Sequence, residues 1–472
     1  MKKNNISPKE YLGTRPTGKL LLNFAIPGIM GGLVGAMASV VDQIFIGQKI
    51  GLLGNAAANI VFPVFSLSIG LSLLLGIGAS VNFNILQGKK KEDDAANIMG
   101  NGLSSLFVVG IALGLLVILF CKPMLYFFGV TENVYNYASV YAKIIGFGLP
   151  FSLFTIGGTI LIKADSSPKI AMLLSIGCAV INIILDYIFI FVFNFGIAGA
   201  AWATVISYVC ATIYGIYYFI YKFQSMPLVL HNLVLRMKYL KKILLFGSSP
   251  FISHAALFAV TIILNNSLSY HGARSVYGPD VPLAVSGVVS KCNYFFMSFA
   301  IGIAQGCQPI AGFNYGAQNY DRVIRLFKQA LISILSLGVV AFLTFQIFPH
   351  QMVYIFGGGD ETYYDFAVKF VRRYSFFVVF VGLGPLVTNF YLAIGKPVYS
   401  IILNLIKRVI IFIPVLLIFT KFWGIEGLLW SGFASDGLSF IIMSFFLYYI
   451  YYFLRKKEIS ISGCINSESI IL

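Results

Sequence analysis

The sequence predicts an all-α polytopic membrane protein, with twelve transmembrane helices in two six-helix lobes related by an internal repeat. Three observations carry this. Of the 472 residues, 58% are hydrophobic and 11% charged, against about 25% charged in soluble globular proteins. Twelve apolar runs each reach the ~20 residues needed to cross a bilayer. Landmarks of the first half of the chain recur, in order, in the second.

The first six runs occupy roughly residues 20–47, 57–87, 97–121, 133–163, 169–193 and 196–222. The other six occupy roughly residues 242–270, 281–312, 319–348, 365–393, 397–419 and 424–453. Several exceed the span length, which predicts tilt or extension beyond the lipid. The runs divide the chain into a cytoplasmic N-terminal segment (1–19), a first lobe (20–222), a cytoplasmic linker (223–241), a second lobe (242–453) and a cytoplasmic tail (454–472). The N-terminal segment is polar and the first run is span-length with no cleavage signature, so no cleavable signal is expected.

The repeat rests on four anchors. Pro27 has a counterpart in Pro250, Gly78-Ala-Ser in Gly306-Cys-Gln, and Pro168 in Pro397. Gly196-Ile-Ala-Gly-Ala-Ala-Trp202 matches Gly424-Ile-Glu-Gly-Leu-Leu-Trp430. The offset stays between 223 and 229 residues, and an even number of spans per half gives both halves one orientation.

The net charge of +16 reports topology. With the N-terminus inside, only seven Lys and Arg fall in outer loops, while Lys2 and Lys3, Lys89 to Lys91, Arg236 to Lys242 and Arg455 to Lys457 cluster inside. Both termini are therefore expected to be cytoplasmic. Basic residues held in loops between apolar runs predict no nucleic-acid partner; the partners expected are membrane lipids and small organic molecules, and a monomer is expected. The six cysteines are scattered with no CxxC, so neither a disulfide framework nor a zinc site is implied.

The stretch Asn182-Ile-Ile-Leu-Asp186 stands out. A carboxylate inside a span costs about 2.5–3.5 kcal/mol or more at the centre and is read as functional by default. Four residues apart, Asn182 and Asp186 share one helix face. A second intramembrane acid, Asp42, lies in the first span, and Thr204 in the sixth. Asp42, Asp186 and Thr204 all fall roughly 7–12 Å below the outer surface at the helical rise, with Asn182 about a turn deeper. Two carboxylates, an amide oxygen and a hydroxyl suit a hard cation such as Na+. Two close carboxylates also favour a proton acceptor. The plainer reading makes both acids helix-to-helix hydrogen bonds, and Thr204 a packing residue.

Two tandem six-helix lobes, a Pro and an Asp in the first span, N-x-x-x-D in the fifth and G-x-x-G-A-A-W-A-T in the sixth together resemble the multidrug and toxic compound extrusion (MATE) family, closest to its bacterial multidrug-exporting branch. The likeness covers residues 20–453. It implies paired six-helix bundles that export amphipathic, often cationic, compounds in exchange for Na+ or H+ across the cell membrane. It maps the cation or proton site onto Asp42, Asn182, Asp186 and Thr204, with Ala200 at a backbone-carbonyl position beside it. Pro27 maps to the helix bend. No cofactor beyond the coupling ion is implied.

The second lobe lacks this site: Asp42 aligns with Asn265, Asp186 with Pro414, and Thr204 with about Gly432. It carries Lys291, Lys407, Arg408 and Asp436 instead, and Lys143 lies within a span of the first lobe. Arg408 and Asp436 fall near mid-membrane on consecutive antiparallel spans, which predicts an ion pair, with Lys407 the alternative partner and a free proton-carrying Asp436 the competing role. His254 reads as a hydrogen-bonded interior residue. Aromatics such as Phe62, Phe65, Phe151, Phe154, Tyr294 and Phe295 read either as packing or as the wall of a substrate cavity. Two other functions fit the sequence less well. A lipid-linked saccharide flippase shares the architecture but calls for a more basic interior. An intramembrane enzyme lacks any GxSxG, HExxH or paired nucleophile and base, so no enzymatic activity is expected.

Overall fold

A computed structural model describes residues 8–278, 280–354 and 361–468. Lys2, Lys3 and the last residues of the tail lie outside them. Among the described residues the regular structure is helical throughout. A short helix α1 (Pro8–Thr14) precedes α2 (Thr17–Ile50), α3 (Leu52–Gly88), α4 (Glu92–Leu119), α5 (Cys121–Phe127) and α6 (Glu132–Ala164). Helix α7 (Pro168–Asp186) continues as a π-helical segment, Tyr187–Val192, before α8 (Gly196–Tyr221). A 3-10 turn, Leu230–Leu233, leads into α9 (Met237–Gly272), α10 (Asp280–Gly316), α11 (Tyr320–Ile347) and α12 (Pro349–Tyr354). Then come α13 (Glu361–Tyr374), α14 (Val378–Val381), α15 (Leu383–Ala393), α16 (Pro397–Leu405) with the π-helical segment Ile406–Phe412, and α17 (Ile413–Glu468).

All twelve apolar runs are present as helix. Nine match single long helices. The run at 365–393 is broken: α13 and the helix from Val378 to Ala393 meet at 54°. The last two runs form one stretch, Pro397–Ser460, which Gly424 divides at φ 57 and ψ −132. Gly424 has its counterpart in Gly196, also at φ 57. The same recurrence links the left-handed residues Gly51 and Gly278, Lys90 and Gln318, and Ser166 and Gly395, at offsets of 227 to 229 residues. The backbone thus repeats its turns where the sequence repeats its anchors. Helices α5 and α12, short and at equivalent places, add an element that apolar runs alone do not reveal.

The chain divides into two compact units, one comprising the residues up to Arg15 with Ile26–Phe251, the other Pro16–Ala25 with the residues from Ile252 onward. In the first unit α6 is central and packs against α3, α4 and α8. One core, around Phe83, Met99, Phe154, Leu161 and Tyr218, fills the end near the 3-10 turn. A second, around Ile46, Val61, Tyr141, Leu149, Ile190 and Ala200, fills the other end. Phe154 stacks on Phe107 with ring centroids 4.7 Å apart and is buried, so it serves packing. In the second unit α10 packs against α11, α13 and α15, with a core around Val285, Phe345, Phe366, Phe370 and Leu428.

The polar connection after α8 is docked onto the first unit. Buried Asp165 accepts hydrogen bonds from Tyr218 Oη (2.5 Å), the Gln224 and Ser225 amides (3.0 Å each) and Ser225 Oγ. Asn101 Oδ1 accepts from the Arg236 amide (2.7 Å), while its Nδ2 donates to the Val234 carbonyl (3.1 Å). Ser104 donates to the Leu233 carbonyl at 2.7 Å. Backbone groups that leave a helix here find side-chain partners in place of a ladder. The start of α9 then lies against α3 so closely that a Cβ on Gly247 would sit 1.6 Å from the Leu74 carbonyl oxygen. Gly247→Ala should therefore destabilise the protein at or beyond the ~3 kcal/mol upper end of overpacking costs. Gly177→Ala, which meets nothing within 4 Å, should not. Thermal unfolding of the two purified variants checks this, and equal melting temperatures would contradict the packing.

Candidate cation site

Asp186 closes α7 where the helix gives way to the π-helical segment Tyr187–Val192. Such segments mark functional positions because they re-aim side chains at the cost of regular hydrogen bonding. Its side chain is fully buried, and both carboxylate oxygens lack a hydrogen-bond partner among the described residues. Asp42 on α2 is half-buried, and its Oδ1 is likewise buried without a partner. The two carboxylates lie within each other's electrostatic field. Buried oxygens are normally hydrogen-bonded, so three bare acceptors in one cluster call for a cation or a proton.

Asn182 stands one turn before Asp186. Its Nδ2 donates to Thr204 Oγ1 at 3.4 Å, which ties α7 to α8 and leaves the amide oxygen as the free acceptor. Ala200 is fully buried one turn before Thr204 and belongs to the same core as Tyr141 and Ile190. The structure thus brings Asn182 to Thr204 and Asp42 to Asp186. It adds two residues that the sequence reading passed over. Tyr141, buried on α6, lies in the field of both carboxylates, and Tyr208 on α8 in that of Asp42. Each phenol offers a hydroxyl that both donates and accepts. Neither stands out in a chain with 27 tyrosines. Oxygen donors of this kind fit Na+ or H+ and not a soft metal; no group of three His, Cys, Asp or Glu able to hold a metal occurs among the described residues.

Other candidates fall elsewhere. Pro27 lies inside the unbroken helix α2. Lys143 is exposed, and Phe62, Tyr294 and Phe295 are exposed on their helices. His254 and Lys291 have interaction partners. Cys121, Cys178, Cys210, Cys292 and Cys307 are free thiols. The second unit corrects one expectation. Lys407, not Arg408, forms the ion pair with Asp436, Nζ to Oδ1 at 3.9 Å. The cause is local: both cations sit in the π-helical segment Ile406–Phe412, whose wider turn changes the angular positions that an α-helix would give them.

The sequence matches the MatE family over residues 27–188 and 272–418. It is 26% identical over 435 residues to the multidrug export protein MepA of Staphylococcus aureus, covering 91% of this chain and 93% of that protein. It is 24% identical to MepA of Staphylococcus saprophyticus, covering 88% and 89%. Among solved structures, a multidrug resistance MATE family transporter in an outward-facing conformation superposes with a TM-score of 0.86 at 20% identity, over 93% of this chain and 97% of that one. A MOP superfamily transporter from Pyrococcus furiosus superposes at 0.87 and 20% identity, over 96% and 100%.

Proposed function

The chain belongs to the MatE family, and from that premise we propose that it is a secondary active exporter of amphipathic, often cationic, organic compounds, driven by inward movement of Na+ or H+. The observation that carries the coupling is the fully buried Asp186, with both oxygens bare beside Asp42. A carboxylate held in this way is unstable alone and gains from an ion or proton. Its occupancy therefore biases any conformational equilibrium in which the site is open to one side of the membrane. Asn182, Tyr141 and Thr204 supply neutral oxygens that complete the shell. Pro27 deprives α2 of one backbone hydrogen bond and is the natural place for that helix to bend as the site fills. The test is efflux of a fluorescent organic cation from vesicles, with a Na+ gradient and a pH gradient imposed separately. Acceleration by one gradient identifies the coupling ion; indifference to both would sink the antiport reading.

In the same reading the protein lies in the cell membrane with both termini cytoplasmic. Cysteines introduced near Asn194 and Tyr277 should then react with an impermeant thiol reagent added outside intact cells. Those near Lys90 and His231 should not. External labelling at His231 would reverse the orientation.

A further inference from the structure

The two units close one pair of equivalent turns differently. Ser166, between α6 and α7, recurs as Gly395, between α15 and α16, and both take a left-handed φ. In the first unit the chain itself closes this turn, since Asp165 accepts from the Gln224 and Ser225 amides at 3.0 Å each. In the second unit the turn carries a cation, Lys396. Its ammonium lies 5.3 Å from the ring centroids of Tyr399 on α16 and Tyr449 on α17, and 3.4 Å from that of Phe453 on α17. A second ammonium, that of Lys457, lies 5.3 Å from the same Phe453 ring. It also lies 5.2 Å from the ring of Tyr315 on α10 and 5.4 Å from that of Tyr320 on α11.

This pair of charges is uncompensated. Lys396 lies in the electrostatic field of Lys457, and neither forms an ion pair with a carboxylate among the described residues. The acids next to the site in sequence are engaged: Asp321 pairs with Arg325, and Glu458 with Arg455 at 2.7 Å. Aromatic faces attract an ammonium but leave its charge in place, so two like charges share one ring with no acid between them. Tyr315 Oη accepts from Lys457 Nζ at 3.3 Å, which leaves the phenol's own proton to donate. Two ammoniums and a hydroxyl suit an anion with several acceptor oxygens, such as a phosphate. The position indicates its source. Lys396 immediately precedes Pro397, where a membrane-spanning stretch begins, and Tyr399, Tyr448 and Tyr452 are exposed beside it in sequence or on the end of α17. Tyrosines at the end of a span mark the level of the lipid headgroups.

We infer that Lys396 and Lys457 together form a binding site for the phosphate headgroup of an anionic phospholipid, which closes the second unit's turn as the linker closes the first unit's. This goes beyond the exporter reading and does not depend on it.

The test is native mass spectrometry of the purified full-length protein in detergent, titrated with phosphatidylglycerol and, separately, with zwitterionic phosphatidylcholine. The wild type should bind its first phosphatidylglycerol about tenfold or more tightly than phosphatidylcholine, since each basic residue near an anionic headgroup contributes about fivefold. Lys396→Gln and Lys457→Gln should each forfeit about fivefold of that preference, and the double variant nearly all of it. Lys456→Gln, at an exposed neighbouring position, should forfeit little, and Lys396→Arg should keep most of it. No preference in the wild type, its retention in the double variant, or an equal loss in Lys456→Gln overturns the proposal. Displacement of the lipid by inorganic phosphate would assign the site to the free anion and overturn the lipid assignment. Should the glutamine variants not fold, acylation of the wild type by an amine-reactive reagent decides: phosphatidylglycerol should protect Lys396 and Lys457 where phosphatidylcholine does not, and equal acylation in both lipids overturns the site.

Discussion

Asp186→Asn is expected to reduce gradient-driven export to background while leaving the protein inserted and folded. The exchange keeps the size of the side chain and removes the charge and the titratable oxygen. The native carboxylate has no internal partner to orphan, so folding should not suffer as it would at a paired acid. Binding of the coupling ion should suffer. A hydrogen bond or ligand bond to a charged group contributes about 1.5–3 kcal/mol, so affinity should fall by roughly one to two orders of magnitude. Where H+ is the coupling ion, Asn has no site to carry it at all. Asp42→Asn should act in the same direction, because Asp42 shares the field of Asp186. Asn182→Ala and Thr204→Ala should cost less, since water replaces a neutral oxygen more readily than a charge. Efflux from vesicles, normalised to the amount of folded protein, reads all four. Near-wild-type export by Asp186→Asn would remove that residue from the mechanism.

The sequence discloses the architecture because the bilayer allows few solutions. Twelve apolar runs must be helices, since an unpaired backbone in lipid is too costly. Glycines such as Gly196 and Gly424 mark equivalent turns because each adopts a left-handed φ of 57°. What the sequence hides is local. The break between α13 and α14 falls at Ser375-Phe-Phe, where no proline or glycine announces it. Tyr141 is one tyrosine among many until α6 places it within the electrostatic field of two acids. The linker docks on Asn101 and Ser104, and on Asn97, whose Oδ1 accepts from Asn232 Nδ2 at 3.2 Å; along the sequence these are ordinary polar residues in the first half of α4. The acids of the candidate site are visible because a charge in an apolar run is conspicuous. Their neutral ligands are visible only where a motif names them.

The Lys407–Asp436 pair gives the second large effect and the clearest test of that hidden geometry. Asp436→Asn should lower stability by about 3 kcal/mol, the lower end of the range for breaking a buried pair. That end is appropriate because both side chains keep about a fifth of their surface exposed, 21% and 23%. The loss arises less from the attraction removed than from the two cations left with no carboxylate in an apolar setting. Removing a cation together with the acid should recover much of it, and which cation matters. Lys407→Met with Asp436→Asn deletes the ion pair seen at 3.9 Å and costs Arg408, which had no direct partner, only the longer-range attraction of Asp436. Arg408→Met with Asp436→Asn leaves Lys407 stranded after its own partner has gone. The first double variant should therefore melt above the second, and above Asp436→Asn alone. A straight α-helical register, which would point Arg408 at Asp436, predicts the reverse order. If Asp436→Asn instead folds as well as the wild type and loses only its response to the pH gradient, the pair is not structural and Asp436 carries a proton for the second unit.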